Sequence, residues 1–246
     1  MSKNYILLLE TATDSCSAAI SEGPNLISEK YTATPKEQAA LLAPFIEELL
    51  SENSIAMEDI AAVAVSSGPG SYTGLRVGVS CAKGICFGKG KPLIAINTLA
   101  AIARSALDNG QAGDEKDFYI VPMIDARRME VYTALFDSAG KQLTKTESVI
   151  LNEHCFEKEL GEKTVLFTGN GAEKFASLVK SDNAIFARQS PHASGMRILA
   201  NEKLAAKKFE DCAYFEPFYL KDFVAGKPKK IIDELLLKGN GGKRGR

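Results

Sequence analysis

Between residues 5 and 106 the hydrophobic pattern changes period in a fixed order, and that order limits the fold more than any other property of the chain. Residues 5–9 are a short apolar, β-forming run and read as a buried strand. A polar turn follows at Thr11-Ala12-Thr13-Asp14-Ser15, then strands at 17–20 and 26–31 separated by Glu22-Gly23-Pro24-Asn25. The period then becomes helical. Thr34-Pro35-Lys36-Glu37 has the capping-box pattern with proline at the first helical position, and Leu42, Phe45, Ile46 and Leu49 recur at helical spacing, which predicts an amphipathic helix over 35–51. A strand at 60–67, a helix at 72–88, a strand at 92–97 and a helix from Thr98 to about residue 106 complete the order β-β-β-α-β-α-β-α. A meander that passes into alternating strands and helices predicts an α/β layered domain with a mixed sheet.

A second set follows a polar, glycine-containing stretch at 108–117. Strands are expected at 119–125, 130–136, 143–150, 164–168 and 184–187, with a hairpin turn at Asp137-Ser138-Ala139-Gly140 and a helix over 194–208 capped by Ser194. The expected division is a first lobe at 1–107, a second at 108–225 and a basic tail at 226–246. From Lys221 onward eight basic residues oppose three acidic ones, a net +5, so the rest of the chain carries −6 to reach the overall −1. A basic tail on an acidic body suits contact with nucleic acid or a solvated end. Hydrophobic residues make up 45% and charged residues 25%, an ordinary globular balance. No apolar run reaches the length of a membrane span and none has the form of a signal peptide, so the expected location is the cytoplasm, with no membrane partner. Five cysteines without a Cys-x-x-Cys pair argue against a disulfide framework or a structural zinc site.

The sharpest local feature is Gly68-Pro69-Gly70-Ser71-Tyr72-Thr73-Gly74-Leu75-Arg76-Val77-Gly78, a turn that joins a strand to a helix. Two readings stand: a tight turn with close helix packing, or an anion site at the helix N-terminus. It is neither a Walker loop nor a dinucleotide fingerprint. The helix that follows places Gly74, Gly78, Ala82 and Ile85 on one stripe with Cys81 beside it. Each interior glycine costs about 1 kcal/mol relative to alanine, so close approach of another helix should offset it, by internal packing or from a partner. Arg127 and Arg128 sit in a charged turn between two strands. They suit a phosphate or a carboxylate, or a hairpin paired with Asp125 and Glu130. His154 and His192 lack further ligands at metal-binding spacing, and nothing resembles a complete catalytic set.

Several blocks together resemble the TsaB family, also called YeaZ: Leu8-Leu9-Glu10-Thr11-Ala12-Thr13, the glycine-rich turn at 68–78, Ala82-Lys83-Gly84, Ile124-Asp125-Ala126-Arg127-Arg128-Met129-Glu130-Val131-Tyr132, and Pro217-Phe218-Tyr219-Leu220. The resemblance implies a two-lobed actin-like ATPase fold, the sugar kinase/Hsp70/actin fold, with mixed sheets. It implies a non-catalytic subunit of tRNA threonylcarbamoyladenosine biosynthesis that binds and activates the catalytic paralogue, TsaD. TsaE, a small ATPase, joins the complex, tRNA is engaged indirectly, and the chain alone forms a homodimer. The paralogue carries a His-x-x-x-His metal pair where this chain has Thr98 and Ile102, and no glycine appears at Ala126-Arg127-Arg128. Both departures point to a pseudoenzyme with no catalytic residues and no metal, where ATP or ADP is held only in complex with partners. The implied partner-binding residues are Leu42, Phe45, Ile46, Gly74, Gly78, Cys81, Ala82 and Ile85. The implied vestigial nucleotide site is Thr11, Thr13, Asp14, Gly68, Gly70 and Ser71. An active nucleotide-dependent transferase, and a metallopeptidase of the glycoprotease type, are the alternatives.

Overall fold

A computed structural model describes residues 4–221. β1 (Tyr5–Glu10), β2 (Cys16–Glu22) and β3 (Asn25–Thr32) form the expected antiparallel meander. β4 (Ile60–Gly68) and β5 (Leu93–Asn97) extend the sheet in parallel beyond β1, giving the order β3-β2-β1-β4-β5. β1 and β4 are covered on both faces, which is why they read as continuous apolar runs rather than as alternating strands. On one face, Leu42, Ile46 and Leu49 of α1 (Gln38–Glu52) and Val79, Ala82 and Cys86 of α2 (Tyr72–Lys89) pack against Leu7, Leu9, Val63 and Val65.

The second sheet has the order β11-β10-β6-β7-β9, with β8 also paired to β6. Its strands are β6 (Phe118–Asp125), β7 (Glu130–Thr133), β8 (Phe136–Asp137), β9 (Glu147–Ile150), β10 (Thr164–Thr168) and β11 (Ala184–Ala187). Phe167 and Phe175 fill one face with Val121 and Met123, beneath the short helices α4 (Glu157–Glu162) and α5 (Ala172–Ala176). α3 (Thr98–Asp108) joins the two lobes. Its Ala101 belongs to the core of the first sheet, while Leu99, Ile102 and Ala106 pack on Ile120, Ile124 and Leu166 of the second.

The largest departure from the sequence reading concerns lobe membership. Ala193, Met196 and Ala200 lie against Ile6, Leu8, Ala62, Ala64 and Ile94 on the far face of the first sheet. α6 (Arg197–Ala205) then leads to Glu210, whose N–H donates to Leu93 O (2.9 Å). Cys212 and Phe215 pack against the core beneath α1 and α2, and Phe218 N–H donates to Ser67 O (2.7 Å). Residues 193–218 therefore pack against the first sheet, although the sequence reading placed them with the second set of strands. The expected tail at 226–246 lies outside the described residues.

Smaller corrections have local causes. α1 starts at Gln38 because Lys36 sits at φ +69°, and Thr34 does not cap it. Asn97, not Thr98, caps α3, accepting from Ala100 N–H (3.1 Å). Ser194 caps no helix. Its N–H and hydroxyl both donate to Glu29, and a 3₁₀ turn at Ala193–Met196 precedes α6. The strand expected over 130–136 breaks between β7 and β8, and only Glu147–Ile150 of 143–150 is a strand. Among the described residues, no helix is long and apolar enough to cross a membrane.

Candidate functional site

The first turn and the glycine-rich loop meet where the parallel strands of the first sheet end, the place at which an open α/β sheet offers a crevice. Ser71 N–H donates to Ala12 O (2.7 Å), and Thr11 Oγ1 donates to Gly74 O (2.7 Å). These contacts draw α2 so close that a Cβ at Gly74 would stand 2.1 Å from Thr11 O, and one at Gly78 2.3 Å from Thr11 Oγ1. The glycine stripe is thus an internal contact with the first turn. Gln38 Nε2 donates to Thr13 O (2.8 Å) and Asp14 O (3.1 Å), which ties the same turn to α1.

The crevice has a volume of about 560 Å³. Its first-lobe wall includes Thr13, Asp14, Gly70 and Ser71, and its second-lobe wall includes Asp125, Arg127, Tyr132 and Asn170. Thr11 and Gly68 belong to the packing around the cleft rather than to its wall. The Thr11 hydroxyl is spent on Gly74, and Gly68, at φ +109°, lies under Phe218, whose carbonyl oxygen would be 2.4 Å from a Cβ there.

Two parts of the cleft escaped the sequence reading. Tyr219, Leu220 and Lys221 lie across it, with the Tyr219 ring tilted against Tyr72 at a centroid distance of 4.7 Å and the Lys221 amine on Glu130. The second lobe does present a glycine turn, at Gly169-Asn170-Gly171 after β10, where a strand running into glycines was the available signal. The two glycines of the turn pack against β6, where Cβ atoms would meet Met123 O at 2.3 Å and Asp125 N at 3.1 Å, and Asn170 Oδ1 accepts from Asp125 N–H (3.0 Å).

Glu10 closes β1 but does not line the cleft. It is fully buried, with Oε1 accepting from Ala12 N–H (2.6 Å) and Ser66 Oγ (3.0 Å), while Oε2 has no partner among the described residues. Burial pushes its pKa up to about 7, against the opposing effect of those hydrogen bonds. Burial likewise pushes the Cys16 and Cys86 thiols up to about 12.

The residues expected at a partner surface divide into two sets. Leu42, Ile46 and Ala82 face the lobe's own core, and Gly74 and Gly78 are buried against the turn at Thr11. Phe45, Cys81 and Ile85 are half-buried at the core's edge. What α2 turns outward is Arg76, Ser80, Gly84 and Phe87, and Phe87 is 88% exposed.

The charged hairpin also differs from expectation. Asp125 pairs with Lys174 (2.6 Å) and Glu130 with Lys221, so neither carboxylate holds Arg127 or Arg128. His154 is exposed and pairs with Glu157 (2.7 Å), while His192 stacks on Tyr31 (4.2 Å) beside Glu29 (3.4 Å). His192 and Glu29 line a larger open cleft, about 760 Å³, where Arg197 is paired with Asp108 (2.8 Å). Among the described residues, no group of three His, Cys, Asp or Glu side chains is placed to hold a metal. Thr98 and Ile102, where the resemblance implies the paralogue's histidine pair, are both fully buried, Ile102 in the core that α3 shares with the second sheet.

Similarity to known proteins follows the whole of this arrangement. The Escherichia coli (strain K12) protein described as tRNA threonylcarbamoyladenosine biosynthesis protein TsaB is 30% identical over 232 residues, which cover 90% of this chain and 96% of that one. The chain belongs to the TsaB family. The Bacillus subtilis (strain 168) TsaB is 28% identical over 210 residues, covering 82% of this chain and 89% of its own. The family model described as TsaD, tRNA N6-adenosine threonylcarbamoyltransferase, matches residues 32–229, so the kinship of TsaB with TsaD is legible in most of the chain. A Pseudomonas aeruginosa structure described as YeaZ superposes with a TM-score of 0.76 at 24% identity, covering 88% of this chain and all of that one. A second P. aeruginosa structure, described as similar to peptidase YEAZ, gives 0.77 at the same identity. The chain shares the fold of these two structures.

Proposed function

We propose that this chain serves the formation of threonylcarbamoyladenosine in tRNA as a non-catalytic subunit, binding and activating a TsaD-type threonylcarbamoyltransferase. A TsaE-type ATPase joins the complex, and a second copy of the chain takes the place of the transferase when the chain is alone. In this reading ATP or ADP is held only in the assembled complex. One observation carries the pairing role. Phe87, 88% exposed on α2, stands beside Gly84 and Gly88, where an added Cβ would meet no atom within 4 Å. An aromatic knob next to two open positions is what close helix-to-helix docking uses. Support for a non-catalytic role comes from Thr98 and Ile102, which are core residues, and from the Gly169–Gly171 turn, which is packed against β6.

Burying a phenylalanine contributes about 1.5–3 kcal/mol, and an aspartate in its place adds a desolvation cost. Phe87→Asp is therefore expected to weaken association with the same organism's TsaD-type subunit by roughly a hundredfold, at about 1.4 kcal/mol per decade. Sedimentation of the mixed subunits measures this, with a thermal melt as the folding control. Unchanged association with an intact fold would move the interface away from α2.

A further inference from the structure

The larger cleft, about 760 Å³, shares no wall residue with the one beside the glycine-rich loop. It opens where the chain passes between the two sheets. The first passage, at the end of α3 and just beyond, supplies Ser105, Asp108 and Gln111, and the return passage after β11 supplies Arg188, Gln189 and His192. The β2–β3 hairpin closes the third side with Pro24, Asn25 and Leu26. The volume is that of a small-molecule site, which runs from about 300 to 1,000 Å³. Such sites are mostly apolar, whereas Pro24 and Leu26 are the only residues of this wall, among those described, without a polar side chain. Gln111 Nε2 donates to Gln189 Oε1 (2.7 Å), and Gln189 Nε2 donates to Ser105 Oγ, so side chains tie the two passages together. Gln189 is only 8% exposed, and each end of its amide keeps one valence unused, a donor beside an acceptor.

The charges on this wall are already matched. Asp108 lies on Arg104 (3.2 Å) and Arg197 (2.8 Å), and Arg188 lies on Glu173 (3.1 Å). Glu29 accepts from Ser194 N–H (3.0 Å) and Ser194 Oγ (2.9 Å) and faces His192 (3.4 Å). Burial raises the Glu29 pKa, but hydrogen bonds from His192 and Ser194 outweigh it and hold the carboxyl below its usual range, so it remains a charged acceptor near neutrality. A cation in the cleft would meet Arg188 and Arg197, and an anion would meet Glu29 and Asp108, with no counter-charge left over for either. What is unspent is neutral. The side chains of Asn25, Asn109 and Ser190 have no hydrogen-bond partner among the described residues. A carboxylate has about four acceptor sites, so Asp108, with two arginines on it, also keeps lone pairs. Fixed acceptors interleaved with amide and hydroxyl groups fit a ligand whose groups both donate and accept without charge, and hydroxyls are such groups.

We propose that this cleft binds a small, neutral, hydroxyl-rich ring: a sugar, either free or as the ribose of a nucleoside. Asp108 and Gln189 take a pair of neighbouring hydroxyls, Asn25, Asn109 and Ser190 take the outer ones, and Pro24 and Leu26 offer a small apolar face to the ring carbons. The hydrogen bonds that hold Asp108, Glu29 and Gln189 fix these groups before the ligand arrives, which lowers the ordering cost of binding. Water competes at an open polar wall, so the expected Kd is on the order of 1 mM. The site is independent of the pairing role, since it uses no residue of α2.

The test titrates the isotope-labelled full-length chain with D-ribose, D-glucose and adenosine and follows its amide resonances. N-acetylglycinamide, neutral but without hydroxyls, is the control, and each probe is taken to about 10 mM, tenfold above the expected Kd. Saturable shifts at Asn109, Gln189 and Ser190 with a sugar or with adenosine, and none with N-acetylglycinamide, are the expected result. Comparable saturation by ribose and glucose assigns a free sugar, whereas adenosine binding about tenfold more tightly than ribose assigns a nucleoside; either supports the site. Asn109→Ala with Ser190→Ala removes two side chains that hold nothing else, so the fold should persist in a thermal melt. The double variant should weaken binding roughly tenfold, at about a half to one decade per lost hydrogen bond. Unchanged binding in that variant overturns the proposal, as does the absence of saturable shifts with every sugar. Shifts confined to Thr13 and Ser71, in the other cleft, overturn it too. Equal binding of adenosine and 2′,3′-dideoxyadenosine would mean that the base and not the hydroxyl pair is held, and would overturn it equally.

Discussion

Replacing Glu10 with glutamine should shift stability in favour of the variant progressively as pH rises from 4.5 to 8. The carboxyl is fully buried, and its pKa rises from 4.5 to about 7, chiefly because burial penalises the charge, against hydrogen bonds from Ala12 and Ser66 and the charge of His192. A folded-state pKa above the unfolded value means that the native chain holds the proton more tightly. The stabilisation is complete below pH 4.5 and is lost as pH rises through 7. The rise is about 2.5 pH units, and at about 1.36 kcal/mol per unit the native state loses about 3 kcal/mol between pH 4.5 and 8. Glutamine keeps an oxygen for Ala12 N–H and Ser66 Oγ and never charges, so it avoids this loss. Its amide nitrogen, at the site of the unpartnered Oε2, introduces an offset that does not vary with pH. Glu29, whose pKa is lowered by His192 and Ser194 despite burial, changes stability in the opposite sense but is common to both proteins and cancels in the difference. Urea unfolding followed by circular dichroism at pH 4.5, 6, 7 and 8 gives that difference directly. It should grow by about 3 kcal/mol across the series and level off above pH 8. A difference that is flat with pH, or that falls, would refute the assignment of a buried, proton-retaining carboxyl.

Two further substitutions probe the packing around α2. Gly74→Ala places a Cβ against the Thr11 carbonyl and should cost about 1–3 kcal/mol, whereas Gly84→Ala, with open space around it, should gain about 0.5–1 kcal/mol from helix propensity. Thermal melts of both variants decide this, and equal effects would remove the close contact from the account; by the same reasoning Gly78→Leu should prevent folding rather than pairing. Lys83 Nζ donates to Ala213 O (3.1 Å) and Phe215 O (3.0 Å), so Lys83→Met should release the segment over the cleft. Amide exchange at Phe215 and Phe218 should accelerate about tenfold for a loss of about 1–2 kcal/mol, and unaltered exchange would show that the lysine does not hold the segment.

The first sheet is legible in sequence because its signals are local: apolar runs for β1 and β4, helical spacing at Leu42, Ile46 and Leu49, and glycine and proline at the breaks. The cleft is legible in part, since Thr13, Asp14, Gly70 and Ser71 line it as the resemblance implies. What was hidden depends on partners distant in the chain. Ala193, Met196 and Ala200 carry no mark that they cover Ile6 and Leu8, because a short apolar spacing fits either sheet equally. The stripe at Gly74 and Gly78 signals a close approach, but what approaches is the turn at Thr11 and not the helix that the spacing suggests, because the partner lies 63 residues away in the chain. The arginines at 127 and 128 look paired with Asp125 and Glu130 by proximity in sequence. Only the fold brings Lys174 and Lys221 to those carboxylates first.

The most direct test of a non-catalytic, activating role is reconstituted tRNA modification with supplied threonylcarbamoyl-adenylate and the same organism's TsaD-type and TsaE-type proteins, each component left out in turn. The account predicts that product forms only when this chain is present and that the chain by itself forms none. Turnover by the chain alone, or full activity of the TsaD-type subunit without it, would contradict the account.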